Sequence, residues 1–175
     1  MSVDFSNTLI VAVSATALFD LSESEQFFQT ALSDDPDTAV DKFRRYMIER
    51  ENDPLQTGTG YPLIKALLNL NRHLPQTETL NEVMTPMVEV VIMSKNSPDT
   101  GIQVLNAIRS YGLPITRSAF TSGEGVADYV SDFKVDLFLT TNHDDAQQVT
   151  DAGVCACAIL DAPPIDMKEL DTEQL

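Results

Sequence analysis

A doubly wound α/β domain, with a mainly parallel sheet and helices on both faces, is the fold class this sequence predicts. Three observations carry that expectation. Four apolar runs read as strands: Thr8-Leu-Ile-Val-Ala-Val13, Val88-Glu-Val-Val-Ile-Met93, Val135-Asp-Leu-Phe-Leu139 and Val154 to Leu160. Their near-continuous hydrophobicity suits a sheet covered on both sides and lacks the alternation of a half-wet one. From Val88 onward strands and helical patterns alternate with short connections, which implies right-handed parallel crossovers. Finally, 175 residues without an internal repeat or low-complexity tract make one ordinary domain, able to bury roughly 70% of its unfolded surface.

The elements follow in order. After the first strand, Leu21 to Arg50 carries Phe27, Phe28, Leu32, Val40, Phe43, Tyr46 and Met47, predicting two helices broken at Asp35-Pro36. Gly58 and Gly60 shape a turn into a helix over Tyr61 to Leu74, whose apolar face holds Leu63, Ile64, Leu67, Leu68 and Leu70. Together these form a helical insertion, about 22–86, between the first and second core strands. Beyond the second strand, Ser97 can cap a helix with Pro98 at its first position, and Ile102, Leu105, Ile108 and Tyr111 repeat along one face. Gly112 closes it and Pro114 follows. A shorter strand candidate runs from Ile115 to Phe120. Ala127, Val130 and Phe133 make a short helix, and Asp144 to Ala152 another. The domain is thus expected over 1–160. Residues 161–175 contain Pro163-Pro164 and five acids against Lys168, and read as an acidic linker or tail.

Composition narrows the function classes. The chain is 43% apolar and 22% charged, ordinary for a globular protein. Eleven Lys and Arg against 27 Asp and Glu leave a formal charge of −16, which repels a phosphate backbone, so nucleic acid is not an expected partner. No apolar run approaches the about 20 residues of a membrane span. Met1-Ser2-Val3-Asp4 lacks the start of a signal peptide. A cytoplasmic location is expected, and the two cysteines agree: Cys155 and Cys157, in an apolar strand-like run, read as small buried hydrophobes that make neither a disulfide nor a zinc site. Met84, Met87 and Met93 read as core filler. Glu23, Glu25, Asp34, Asp35 and Asp37 read as solvated acidic surface.

A doubly wound sheet binds ligands beyond the carboxyl ends of its strands. The residues there are Ser14, Ala15 and Thr16; Ser94, Lys95 and Asn96; Thr121, Ser122 and Gly123; Thr140, Thr141 and Asn142. Such a crevice would present hydroxyls, amides and one lysine, with no carboxylate immediately past any strand. Neutral donors can hold an anion such as phosphate, but Mg²⁺ wants carboxylate oxygens, so no metal site is expected in this chain. The same residue types are also the stock of turns and helix caps. His143-Asp144-Asp145 reads as a helix start with favourable dipole charges. Gly58-Thr-Gly60 has no following Lys-Ser/Thr and is not a nucleotide P-loop.

The run Leu9-Ile-Val-Ala-Val-Ser-Ala-Thr-Ala-Leu-Phe-Asp20 resembles the first motif of haloacid-dehalogenase-like phosphatases. More narrowly, Ala12 to Phe19, Gly58 to Leu68, Val91 to Ser97 and Gly153 to Ala158 resemble, in order, segments of the cytosolic type I 5'-nucleotidases. The resemblance implies a haloacid-dehalogenase-like fold and hydrolysis of nucleoside monophosphates such as AMP with Mg²⁺. It also implies an aspartate nucleophile, an acid/base two residues on, a phosphate-holding Ser or Thr, a lysine and a pair of metal-binding acids. Laid on this chain by Leu18-Phe19-Asp20, the nucleophile falls on Val13 and the acid/base on Ala15; one residue over, on Ser14 and Thr16. The lysine falls near Val126 and the metal acids on Thr140 and Thr141. Ser94 remains as the phosphate-holding residue, with Lys95 and Asn96 beside it. Asp20 belongs to the following turn and is a poor substitute nucleophile.

The family is built of two similar halves with its catalytic aspartates in the second, and the resemblance covers the first. Three readings follow. The chain is an inactive amino-terminal half whose partner is the catalytic half; or a module that binds a nucleoside monophosphate or phosphate through Ser14, Thr16, Ser94, Lys95 and Asn96 without hydrolysing it; or a structural unit that packs on that half or on itself.

Overall fold

A computed structural model describes residues 6–74 and 85–161. The acidic tail beyond Asp161, Met84 and part of the insertion lie outside the described residues.

Among the described residues five parallel strands form the sheet, in the order β3-β2-β1-β4-β5. β1 (Leu9–Ser14) lies at the centre, between β2 (Val88–Ser94) and β4 (Leu137–Thr140), with β3 (Arg117–Phe120) and β5 (Ala156–Ile159) at the edges. The chain builds outward from β1 to β3, then returns to the other side of β1, so the direction reverses between β1 and β4.

The apolar runs become two cores because successive strand residues face opposite sides. Val11, Val13, Val90, Ile92 and Leu139 pack beneath α1 (Ala15–Leu18), α4 (Tyr61–Asn69) and α5 (Ile102–Ser110). Ile10, Ala12, Val91, Met93 and Phe138 pack on the other face with Val130 of α6 (Ala127–Val130) and Val149 of α7 (His143–Ala152).

The insertion holds α2 (Ser22–Asp34), α3 (Pro36–Glu49), α4 and a 3₁₀ turn, Leu70–His73. Asp35-Pro36 does break the first two helices. They zip by aromatic pairs, Phe27 on Tyr46 with centroids 4.0 Å apart and Phe28 on Phe43 at 5.0 Å. Arg44 of α3 contacts Asp99 in the turn before α5, and Asn106 Nδ2 of α5 donates to the Glu51 carbonyl just past α3 at 2.9 Å, which ties the hairpin to this side of the sheet.

Several expectations need correction. Ser97 does not cap α5: residues 98–101 form a turn closed by Gly101 N–H donating to the Ser97 carbonyl at 2.9 Å, and the helix begins at Ile102. A Cβ on Gly101 would stand 2.2 Å from the Phe120 ring, so the chain passes that ring before it can coil. The deeply buried face of α5 is Val104, Ala107 and Ile108. Its end is as expected: Gly112 takes φ +63°, and Leu113 N–H donates back to the Ile108 carbonyl at 3.0 Å. β5 is an edge strand and not a buried one, so Cys155 and Cys157 are only half-buried. Met93 is core, whereas Met87 is exposed. Among the described residues, no helix is long and apolar enough to cross a membrane.

Candidate functional site

The reversal of strand order places a cleft of about 270 Å³ at the carboxyl ends of β1, β2 and β4, where a doubly wound sheet opens between diverging loops. Ser14, Ala15 and Thr16 enter it from β1, Ser94, Lys95 and Asn96 from β2, and Thr141 and Asn142 from β4. Leu21, Ser24, Glu25 and Phe43 roof it from the α2–α3 hairpin, and Asp145 closes it from α7.

The hydroxyls are already engaged. Ser14 Oγ accepts from Ala17 N–H at 3.1 Å, capping α1, and shares a 3.1 Å hydrogen bond with the Thr16 hydroxyl. Thr16 in turn bonds the Thr141 hydroxyl at 2.8 Å, stitching the β1 and β4 ends together. Ser94 Oγ accepts from Asn96 N–H at 3.2 Å. These residues therefore serve as turn and cap residues while also lining the cleft.

Other expected positions fall elsewhere. Val13 is fully buried in the core, and Val126 is buried beside α6. Thr140 is also fully buried; its Oγ1 accepts from Asn142 N–H at 3.0 Å, and only Thr141 reaches the cleft. Thr121, Ser122 and Gly123 do not line the cleft. Their amides donate to the carbonyls of Ser94, Asn96 and Lys95, at 2.9, 3.1 and 2.7 Å, and so fix the loop that carries Lys95. Asp20 is exposed; its Oδ1 accepts from Ser22 N–H at 3.0 Å and Oγ at 2.6 Å, which holds its carboxyl below the ordinary range.

Two carboxylates enter the cleft against expectation. Asp145 does stand in the first turn of α7, at a helix start with favourable dipole charges, but it is also buried, and its carboxylate forms an ion pair with Lys95. Glu25 is exposed, as expected of the solvated acidic surface. Although much of its side chain meets water, it looks into the cleft, and desolvation followed by the Asp20 charge raises its carboxyl pKa. Neither was visible from strand-end residues, because both arrive on helices. A local signal for Asp145 did exist: Asn142 caps α7 by accepting from Asp145 N–H at 2.9 Å, which fixes Asp145 at the third helical position, next to the strand end.

The raised pKa of Glu25 has a consequence for stability. A carboxyl with a raised folded pKa contributes most below its unfolded value of 4.5, and that contribution is lost as pH rises through the folded value. Glu25→Gln is expected to stabilise the domain slightly at pH 7, by less than about 1 kcal/mol given its exposure. The difference should vanish near pH 4 in thermal melts. A benefit that persists there would assign the effect to something other than ionisation.

An all-parallel doubly wound sheet, a helical hairpin inserted after its first strand and a polar cleft at the strand reversal define the class: an α/β domain with a strand-end ligand cleft. Within it, the chain belongs to the 5'-nucleotidase family, whose model matches residues 1–175. It is 23% identical over 167 residues to human cytosolic 5'-nucleotidase 1B, covering 95% of this chain and 26% of that protein. The chain thus spans about a quarter of the length of that curated relative. Among solved structures it is similar to the HAD domain of the Legionella pneumophila effector protein Lem4. An inactive mutant gives a TM-score of 0.44 at 14% identity and a second structure 0.45 at 13%, covering 91% and 92% of this chain and 88% and 89% of those chains.

Proposed function

We propose that this is a non-hydrolytic domain of the 5'-nucleotidase family, whose cleft is a remnant phosphate cradle and whose own residues carry out no phosphoryl transfer. The supporting observation is the end of β1. Val13 is packed in the core, Ala15 presents a methyl, and Ser14 and Thr16 present hydroxyls. A carboxylate there would form a hydrolysable acyl phosphate; a serine could substitute only with an adjacent base. Ser14 Oγ has the Ala17 amide and the Thr16 hydroxyl as neighbours, and neither is a base.

Mg²⁺, which the family uses, does not suit the donors present. Asp145 is neutralised by Lys95, Thr140 is buried, and the Thr141 hydroxyl is bonded to Thr16. Among the described residues no three His, Cys, Asp or Glu side chains converge, whereas Mg²⁺ selects carboxylate oxygens and water in octahedral array. No step is assigned to a metal in this chain.

What the cleft retains are neutral donors on Thr16, Ser94, Asn96 and Thr141, chemistry suited to holding the phosphate of a nucleoside monophosphate without turnover. Phosphoryl transfer then belongs to a separate domain of a longer family protein in the cytoplasm, with this domain packed beside it. Purified residues 1–175 are expected to release no phosphate from AMP with Mg²⁺ above the enzyme-free rate. Turnover that disappears in Asp145→Asn would overturn the reading.

A further inference from the structure

We infer that Asp145 is a built-in counter-ion that occupies Lys95 and keeps the strand-end cleft closed to phosphate, so that the cleft becomes an anion site only when this internal pair is opened. The inference rests on reading the cleft as a phosphate cradle, and it adds what regulates it.

Four observations carry it. Among the described residues that line the cleft, Lys95 is the only lysine or arginine, so any anion entering must compete for it. Its partner is far better anchored: the Asp145 side chain is 8% exposed and that of Lys95 37%. The Asp145 backbone is held by its amide donating to Asn142 Oδ1, its carboxylate is confined by burial, and the α7 N-terminus favours a negative charge at that position. Lys95 has the mobile end, a flexible stem on a half-exposed loop residue. The ion pair therefore forms by Lys95 reaching to a fixed carboxylate, and it can open by Lys95 swinging back over the cleft floor.

The second observation is the charge balance. With Lys95 cancelled by Asp145, the remaining ionisable side chain among the described residues of the cleft wall is Glu25, so the closed cleft offers an anion no net attraction. The third is the loop under Lys95. Its carbonyl accepts from Gly123 N–H at 2.7 Å, and the next accepts from Ser122 N–H at 3.1 Å. The backbone is thereby fixed while the side chain remains free to change partner. The fourth is placement. Ser94, Lys95 and Asn96 are consecutive at the end of β2 and face Thr16 and Thr141 across the cleft, so a released Lys95 would complete a ring of donors.

Phosphate binding to residues 1–175 tests this directly, using inorganic phosphate as the probe in calorimetry at low salt. Asp145→Asn keeps the shape of the side chain and its backbone cap while removing the competing charge. It is expected to tighten phosphate binding by at least about tenfold, the effect of a screened charge pair near a surface. Asp145→Ser is expected to act in the same direction and serves if the first variant folds poorly. The double variant Asp145→Asn with Lys95→Met should return to wild-type affinity. Equal phosphate affinity in folded wild type and in either single variant would overturn the inference, as would a gain that survives loss of Lys95. Either failure leaves the absence of AMP turnover untouched, and turnover by the wild type would leave the binding comparison standing, so the two readings fail separately.

Discussion

Val13→Asp is expected to unfold the domain or come close to it, whereas Ser14→Asp is expected to be tolerated. The two positions are neighbours on β1, and each is a place where the family motif could put its nucleophile. Val13 pairs with Ile92 and Leu139 in the middle of the sheet and has no exposed surface. A carboxylate there has apolar neighbours throughout, with no donor to satisfy it. Burying such a group, together with losing the valine packing, costs ~4 kcal/mol or more, a large share of the roughly 5–15 kcal/mol that holds a domain together. Ser14 is different because its side chain looks into the cleft and caps α1. Aspartate caps as well as serine, so Ser14→Asp should change stability by no more than about 1 kcal/mol. Urea unfolding followed by circular dichroism compares them. Equal and severe loss in both would show that the β1 end is core throughout, and the cleft reading of Ser14 would fall with it.

The contrast between these adjacent residues also shows what the sequence could and could not convey. The run Ile10 to Val13 is legible as a central strand because both faces are buried, and continuous hydrophobicity is the consequence. The same signal misled at Val154 to Leu160: an apolar run does not say whether a strand is central or at an edge, and β5 is an edge. Helix ends with a steric requirement were legible, as at Gly112, where positive φ needs glycine. The start of α5 was not, because it is set by the ring of Phe120, a contact across the fold. Half of the cleft followed from the strand-end rule, since Ser14, Thr16, Ser94, Lys95, Asn96 and Thr141 are local consequences of where strands stop. The other half was invisible for the opposite reason. Glu25 and Phe43 reach the cleft through the packing of α2 and α3, and nothing adjacent to them in sequence records it; Asp145 arrives on α7, and its one local sign is the Asn142 cap three residues before it. The charge of −16 hides the same point: two of those acids face inward, and one is the partner of the cleft's lysine.

Phe19→Ala is expected to cost about 3–5 kcal/mol, although Phe19 does not itself line the cleft. Its ring is fully buried and stacks on Tyr111, which caps the end of α5, with centroids 5.7 Å apart. Its backbone closes α1, the amide donating to the Ala15 carbonyl at 2.9 Å. The segment it anchors is held from the other side by Gly58 and Gly60, whose amides donate to the Leu18 and Ala17 carbonyls at 2.8 and 2.7 Å. That approach is so close that a Cβ on Gly58 would stand 2.6 Å from the Ala17 oxygen, which explains the glycine there. Removing the ring leaves a cavity under this double seam, and the strain passes along α1 to Ser14 and Thr16. Asp20, the next residue, provides the control. It is exposed, and among the described residues its carboxylate bonds only Ser22, so Asp20→Asn should cost about 1 kcal/mol or less. Its folded pKa is lowered, so the small stabilisation it supplies is present above the unfolded value of 3.8 and disappears as pH falls below it. The wild type and Asp20→Asn should therefore converge in acid, while the Phe19→Ala deficit persists at every pH. A Phe19→Ala variant as stable as the wild type would mean that α1 is held by the glycine seam alone. The position of Ser14 and Thr16 in the cleft would then be set by the 56–60 loop, and the Phe19 ring would have no part in it.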